Sequence, residues 1–95
     1  MEMALGELVT EPEWSSVRET LGLSPRQAQI VACLLQAKGD KQIARDIGIS
    51  VPTVRTHLDR LFQKLDVEDR MELLVHVFGH IRAASDTDAL PRQDA

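Results

Sequence analysis

Lys41-Gln-Ile-Ala-Arg-Asp-Ile-Gly-Ile-Ser-Val-Pro-Thr-Val-Arg-Thr-His-Leu-Asp-Arg-Leu-Phe-Gln-Lys-Leu65 is the stretch on which the fold turns. Ile43, Ala44 and Ile47 share one helical face, which predicts a short helix over 41–47. Gly48 then takes the left-handed conformation without a Cβ penalty, and Ser50 is a capping residue for the next helix. Over 51–65, Val54, Leu58, Leu61 and Leu65 make one inward stripe. Opposite them lie Pro52, Arg55, Thr56, Asp59, Arg60 and Gln63. A short helix, a tight turn and a longer amphipathic helix are the parts of a helix-turn-helix, whose second helix enters the DNA major groove. The expected fold class is all-α.

Upstream, Ser24-Pro25-Arg26-Gln27 is a helix start: a cap, a proline at the first position and a capping-box partner. That helix is expected to run to about Ala37, burying Ile30, Val31, Leu34 and Leu35, until Lys38-Gly39-Asp40 breaks it. Glu11-Pro12-Glu13 opens an earlier short helix, with Trp14, Val17 and Leu21 on its apolar side and Gly22 at its end. Downstream, a helix is predicted over 68–84. Met71, Leu74, Val75, Phe78 and Ile81 read as its core stripe, and Leu73, Val77 and Ala84 as a second apolar face. A surplus face on so small a domain suggests a dimer contact. The chain therefore divides into a lead-in and short helix (1–22), a helix-turn-helix domain (23–84) and a polar tail expected to be disordered (85–95).

The chain has 95 residues, the length of one domain, and a net charge of −4. Net acidity argues against nucleic acid, yet the charges are segregated. Residues 23–65 hold seven bases and three acids, while the flanks 1–22 and 66–95 are each net −4. A basic middle thus lies between acidic ends. The single cysteine, Cys33, excludes an internal disulfide and fits a reducing cytoplasm. No apolar run approaches the roughly 20 residues of a membrane span. No Gly-rich phosphate loop, nucleophile elbow or His/Cys cluster is present, so no catalysis, cofactor or small-molecule ligand is expected.

With the helices placed, the chain resembles the LuxR/FixJ-type (GerE-like) DNA-binding domain of bacterial transcription regulators. That family's pattern runs Leu-Thr-Pro-Arg-Glu, Lys-Glu-Ile-Ala, Ile-Ser-x-x-Thr-Val-Lys-x-His and Lys-Leu-x-Val-x-x-Arg-x-Glu-Leu. Here the counterparts are Leu23-Ser24-Pro25-Arg26-Gln27, Lys41-Gln42-Ile43-Ala44, Ile49-Ser50-Val51-Pro52-Thr53-Val54-Arg55-Thr56-His57 and Lys64-Leu65-Asp66-Val67-Glu68-Asp69-Arg70-Met71-Glu72-Leu73, in register without a gap. The resemblance implies a four-helix domain, here with an extra short N-terminal helix, that binds double-stranded DNA as a cytoplasmic homodimer. By position, Arg55, Thr56 and Asp59 would face the bases. Lys41, Thr53 and Lys64 would contact phosphates, with His57 beside them. Arg45 and Arg60 are further cations expected to neutralise phosphate. Leu73, Val77, His80 and Ala84 would form the dimer interface. Chemistry supports Arg55 independently, because its planar fork matches guanine O6 and N7.

Three substitutions depart from the family pattern. Asp59 replaces a base or polar residue; it can accept from cytosine, or pair with Arg55 one turn back and blunt binding. Gln27 replaces Glu, which removes an ion pair and keeps the cap. Asp66 replaces Gly and tolerates the left-handed conformation. Family members usually carry an input domain ahead of this one, so the chain reads as a solo regulator or a fragment. Plainer readings stand beside these. His76 and His80 have helical metal-pair spacing but no third ligand in reach, so solvated histidines and no metal are expected. Cys33 reads as a small core residue. The alternative function is an interaction protein that no longer binds DNA and pairs with another regulator through helix 68–84. Sigma-factor region four shares the fold, but it would normally be attached to further helices.

Overall fold

A computed structural model describes residues 10–89, which form five helices and, among the described residues, no strand. Helix α1 spans Glu11–Leu21, α2 Pro25–Leu35, α3 Asp40–Ile47, α4 Val51–Leu65 and α5 Arg70–Ala89. The starts are set by local hydrogen bonds. Thr10 Oγ1 accepts from the Glu13 amide at 3.3 Å while Glu13 Oε1 accepts from the Thr10 amide at 2.9 Å. Ser24 and Gln27 make the same reciprocal pair at 3.1 and 2.9 Å. Ser50 Oγ accepts from the Thr53 amide, and Asp69 Oδ1 from the Glu72 amide. Each satisfies an orphan donor of a first turn.

The stops are left-handed residues. Gly22, Gly48 and Asp66 have φ of 66°, 73° and 57° and follow α1, α3 and α4. The end of α2 differs from expectation. It closes at Leu35, and the turn is made at Ala37 (φ 63°), where a side chain is disfavoured. Gly39, at φ −86°, is ordinary backbone and caps α3 without a side-chain bond.

Helix α1 packs along α5, α3 against α4, and α2 against both α3 and α4, while α5 also meets α4. The core gathers Trp14 and Val17 from α1, Ile30, Val31 and Leu34 from α2, and Ile43 from α3. It is completed by Val54, Leu58 and Leu61 from α4 and Leu73 and Val77 from α5. Every buried residue among those described is apolar. Cys33 is one of them; burial pushes its thiol pKa up, which disfavours the reactive thiolate. No described helix is long and apolar enough to cross a membrane.

Helix α5 corrects two sequence expectations. Its inward stripe is Leu73, Val77 and Ile81, whereas Met71, Val75 and Phe78 are 68%, 64% and 41% exposed. Of the expected core stripe, Ile81 is buried and Leu74 packs partly against the core, while Leu73 and Val77 of the expected second face take the inward positions. Leu73 and Val77, expected at a dimer interface, are fully buried within one chain. The physical reason is that α5 has apolar residues on several sides. Periodicity identifies such stripes but does not choose among them; docking between α1 and α4 does. His80 and Ala84, also expected at the interface, line a groove against Pro12, Ser16 and Thr20 of α1. The helix also continues through Ala89, beyond the expected end near residue 84. The rest of the expected tail, 90–95, and the lead-in 1–9 lie outside the described residues.

Candidate nucleic-acid interface

The candidate surface is built by α3, the turn at 48–50 and α4. Val54, Leu58, Leu61 and Leu65 anchor α4 in the core, so its opposite side is turned out. Arg55, Thr56, Asp59, Arg60 and Gln63 are all exposed there. Lys41 and Arg45 are exposed on α3, and like Arg60 they pair with no other side chain among the described residues. His57 is half-buried.

Three residues carry the main geometry. Arg55 Nε donates to Asp40 Oδ2 at 3.2 Å. Arg70 Nη2, from the start of α5, donates to Asp40 Oδ1 at 2.5 Å. One carboxylate at the first position of α3 thus bridges arginines from α4 and α5. The bond from Arg70 holds the Asp40 carboxyl below the usual carboxylate range; partial burial opposes this and Arg55 adds to it. Of the two roles open to Asp59, pairing with Arg55 is not the one adopted, since Arg55 bonds to Asp40 instead.

Other expected contacts sort differently. The exposed Thr56 donates its hydroxyl to the Pro52 carbonyl at 3.1 Å. Thr53 Oγ1 lies 2.8 Å from Ser50 Oγ at the helix cap. Lys64, expected on phosphate, turns back to the Gly22 carbonyl and, at 2.9 Å, to Gln27 Oε1. It ties the end of α4 to the α1–α2 turn. Gln27 therefore stands where a Glu would pair with Lys64. Lys38 pairs with Asp46 at 2.7 Å, and Arg26 donates to the Ile47 carbonyl at 3.3 Å, a cation at the negative end of α3. The His76 and His80 rings lie 4.9 Å apart on α5, and no group of three metal-ligating side chains occurs among the described residues.

Sequence reasoning assigned no role to Arg70 and placed Asp40 only in the break between two helices. Arg70 stood in a quoted motif, but its partner lies 30 positions away, beyond the reach of helical spacing.

The family model for bacterial regulatory proteins of the luxR family matches residues 21–77. YhjB of Escherichia coli (strain K12), which carries the name of an HTH-type transcriptional regulator, is 34% identical over 67 residues. The alignment covers 70% of this chain and 33% of that protein. The HTH-type transcriptional regulator MalT of Yersinia pestis (strain Pestoides F) is 30% identical over 71 residues, covering 75% of this chain and 8% of that one. The chain thus spans a third or less of the length of these relatives. No solved structure matches it.

Proposed function

This chain belongs to the luxR family of bacterial regulatory proteins, and from that premise we propose that it binds double-stranded DNA to regulate transcription, with α4 in the major groove. The observation that carries the reading is the outward face of α4. Exposed Arg55, Thr56, Asp59 and Arg60 stand on a helix whose other side is fully anchored, beside exposed Lys41 and Arg45. Arg55, Thr56 and Asp59 read base edges. Lys41, Arg45, Arg60, Thr53 and His57 position the phosphates. Lys64 leaves that set, because it is held by Gly22 and Gln27.

Two such domains pair through α5 on a two-fold related site. Exposed Met71, Val75 and Phe78 supply the apolar surface in place of the buried Leu73 and Val77. The protein acts in the cytoplasm, without catalysis or cofactor. Selection of bound sequences from a random DNA pool, followed by salt titration, tests this. Enrichment of a two-fold symmetric site, with affinity falling steeply as salt rises, is expected. No retention at low salt overturns it.

One observation favours the second reading, an interaction protein pairing with another regulator. The apolar stripe on α5 is exposed while the whole chain is net −4. Tight hetero-association without DNA retention distinguishes that outcome.

A further inference from the structure

Reading α4 as the base-recognising helix leaves Asp40 without a role. A carboxylate beside a DNA-facing surface repels phosphate unless it is neutralised. Here it is neutralised twice, by Arg55 and Arg70, so the three groups together carry a net charge of +1. The bond to Arg55 engages Nε alone. The two terminal amino groups of the guanidinium lie on the other edges of its plane, and they are the fork that matches guanine O6 and N7. Exposure agrees with this division. The Arg55 side chain is 70% exposed and the Asp40 side chain 20%. The arginine projects past a carboxylate that holds it near its base.

We propose that Asp40 is a positioning residue for base recognition: anchored by Arg70 from α5, it grips Arg55 through Nε and presents the terminal amino groups of that arginine to a guanine. The inference rests on the DNA-binding reading of α4. A long, flexible side chain held before contact loses less freedom on binding, so the affinity and the base preference of Arg55 both depend on Asp40. A carboxylate that merely competed with DNA for Arg55 would have the opposite sign, because its removal would strengthen binding.

The test is a double-mutant cycle on the 95-residue chain, read by selection from a random DNA pool and by titration of the selected site. Wild type is expected to prefer guanine at one position per half-site, and Arg55→Ala to abolish that preference. Asp40→Ala is expected to reduce affinity for the selected site roughly tenfold or more and to flatten the same position. Affinity for unselected DNA should hold or rise, since a negative charge is removed. Asp40→Asn keeps an acceptor for Nε and is expected to restore part of the preference, which guards against a folding defect in the alanine variant. In the Arg55→Ala background, Asp40→Ala should have no further effect on base choice and should not lower affinity for the selected site. An unchanged guanine preference in Asp40→Ala, tighter binding of the selected site by that variant, or an equal loss of affinity for that site in both backgrounds overturns the inference while leaving DNA binding intact. Failure of wild type to enrich any sequence overturns the DNA-binding reading and this inference with it.

Discussion

Asp40 Oδ2 and Arg55 Nε meet at 3.2 Å across the helix-turn-helix, fifteen residues apart in the chain. The contact joins the first residue of α3 to the outward face of α4 and, through Arg70, to the start of α5. The outward face of α4 is therefore braced by all three helices.

Arg55→Ala should cost about 1–3 kcal/mol at one base position and relax the preference there. Lys41→Ala and Arg45→Ala should instead weaken binding to all sequences alike. Each should reduce the slope of log affinity against log salt by about one. Gel-shift titrations over a salt series separate the two behaviours. Equal, sequence-independent losses for all three variants would contradict the division into base and phosphate contacts.

The Asp40 cluster also predicts a pH dependence of stability. Its carboxyl pKa is lowered on folding, chiefly by Arg70. The folded state therefore favours the charged form. The stabilisation is fully present above the unfolded carboxyl value of about 3.9 and is lost as pH falls through the lower folded value. The stability difference between wild type and Asp40→Asn should be flat from neutral pH to about pH 5 and shrink below pH 4. Urea denaturation at a series of pH values measures it; a difference that grows on acidification contradicts the pairing.

Ala37→Gly should stabilise the protein. Ala37 holds φ at 63° just past α2, where a side chain costs about 1–2 kcal/mol. Glycine removes that cost and adds about 0.4–1 kcal/mol of unfolded-state entropy. The net expectation is a gain of about 0.5–1 kcal/mol, visible as a higher midpoint in urea with unchanged slope.

The two faces of α5 should respond in opposite ways. Leu73→Ala removes a fully buried side chain and should cost about 2–5 kcal/mol. Val75→Ser, at a position 64% exposed, should change monomer stability by no more than about 0.5 kcal/mol. If α5 pairs two copies, Val75→Ser should also weaken self-association in sedimentation equilibrium.

Gln27→Glu should turn the 2.9 Å bond from Lys64 into an ion pair while retaining the cap on α2. An exposed pair of this kind contributes about 0.2–1 kcal/mol and weakens with salt. Thermal melts at low and high salt should show that gain shrinking.

Most of the helical plan was legible in the chain. The capping box at Ser24, the glycines at 22 and 48, and the stripe Val54–Leu58–Leu61–Leu65 act within one or two turns. Such local hydrogen bonds and periodicities are written in neighbouring residues. The outward placement of Arg55, Thr56, Asp59 and Arg60 follows directly, because one side of α4 is apolar and the other is not. The end of α2 was less legible. A left-handed alanine carries no compositional mark, and the nearby Gly39 drew the break to itself.

The amino-acid sequence by itself determined where helices begin, which residues α4 turns outward and the family to which the domain belongs. Only the tertiary structure decided that Leu73 and Val77 face the core, that Lys64 serves Gly22 and Gln27, and that Asp40 holds Arg55 and Arg70. The reason is reach. A helical period relates side chains three or four positions apart, whereas these partners lie 15 to 42 positions apart and meet only when whole helices pack.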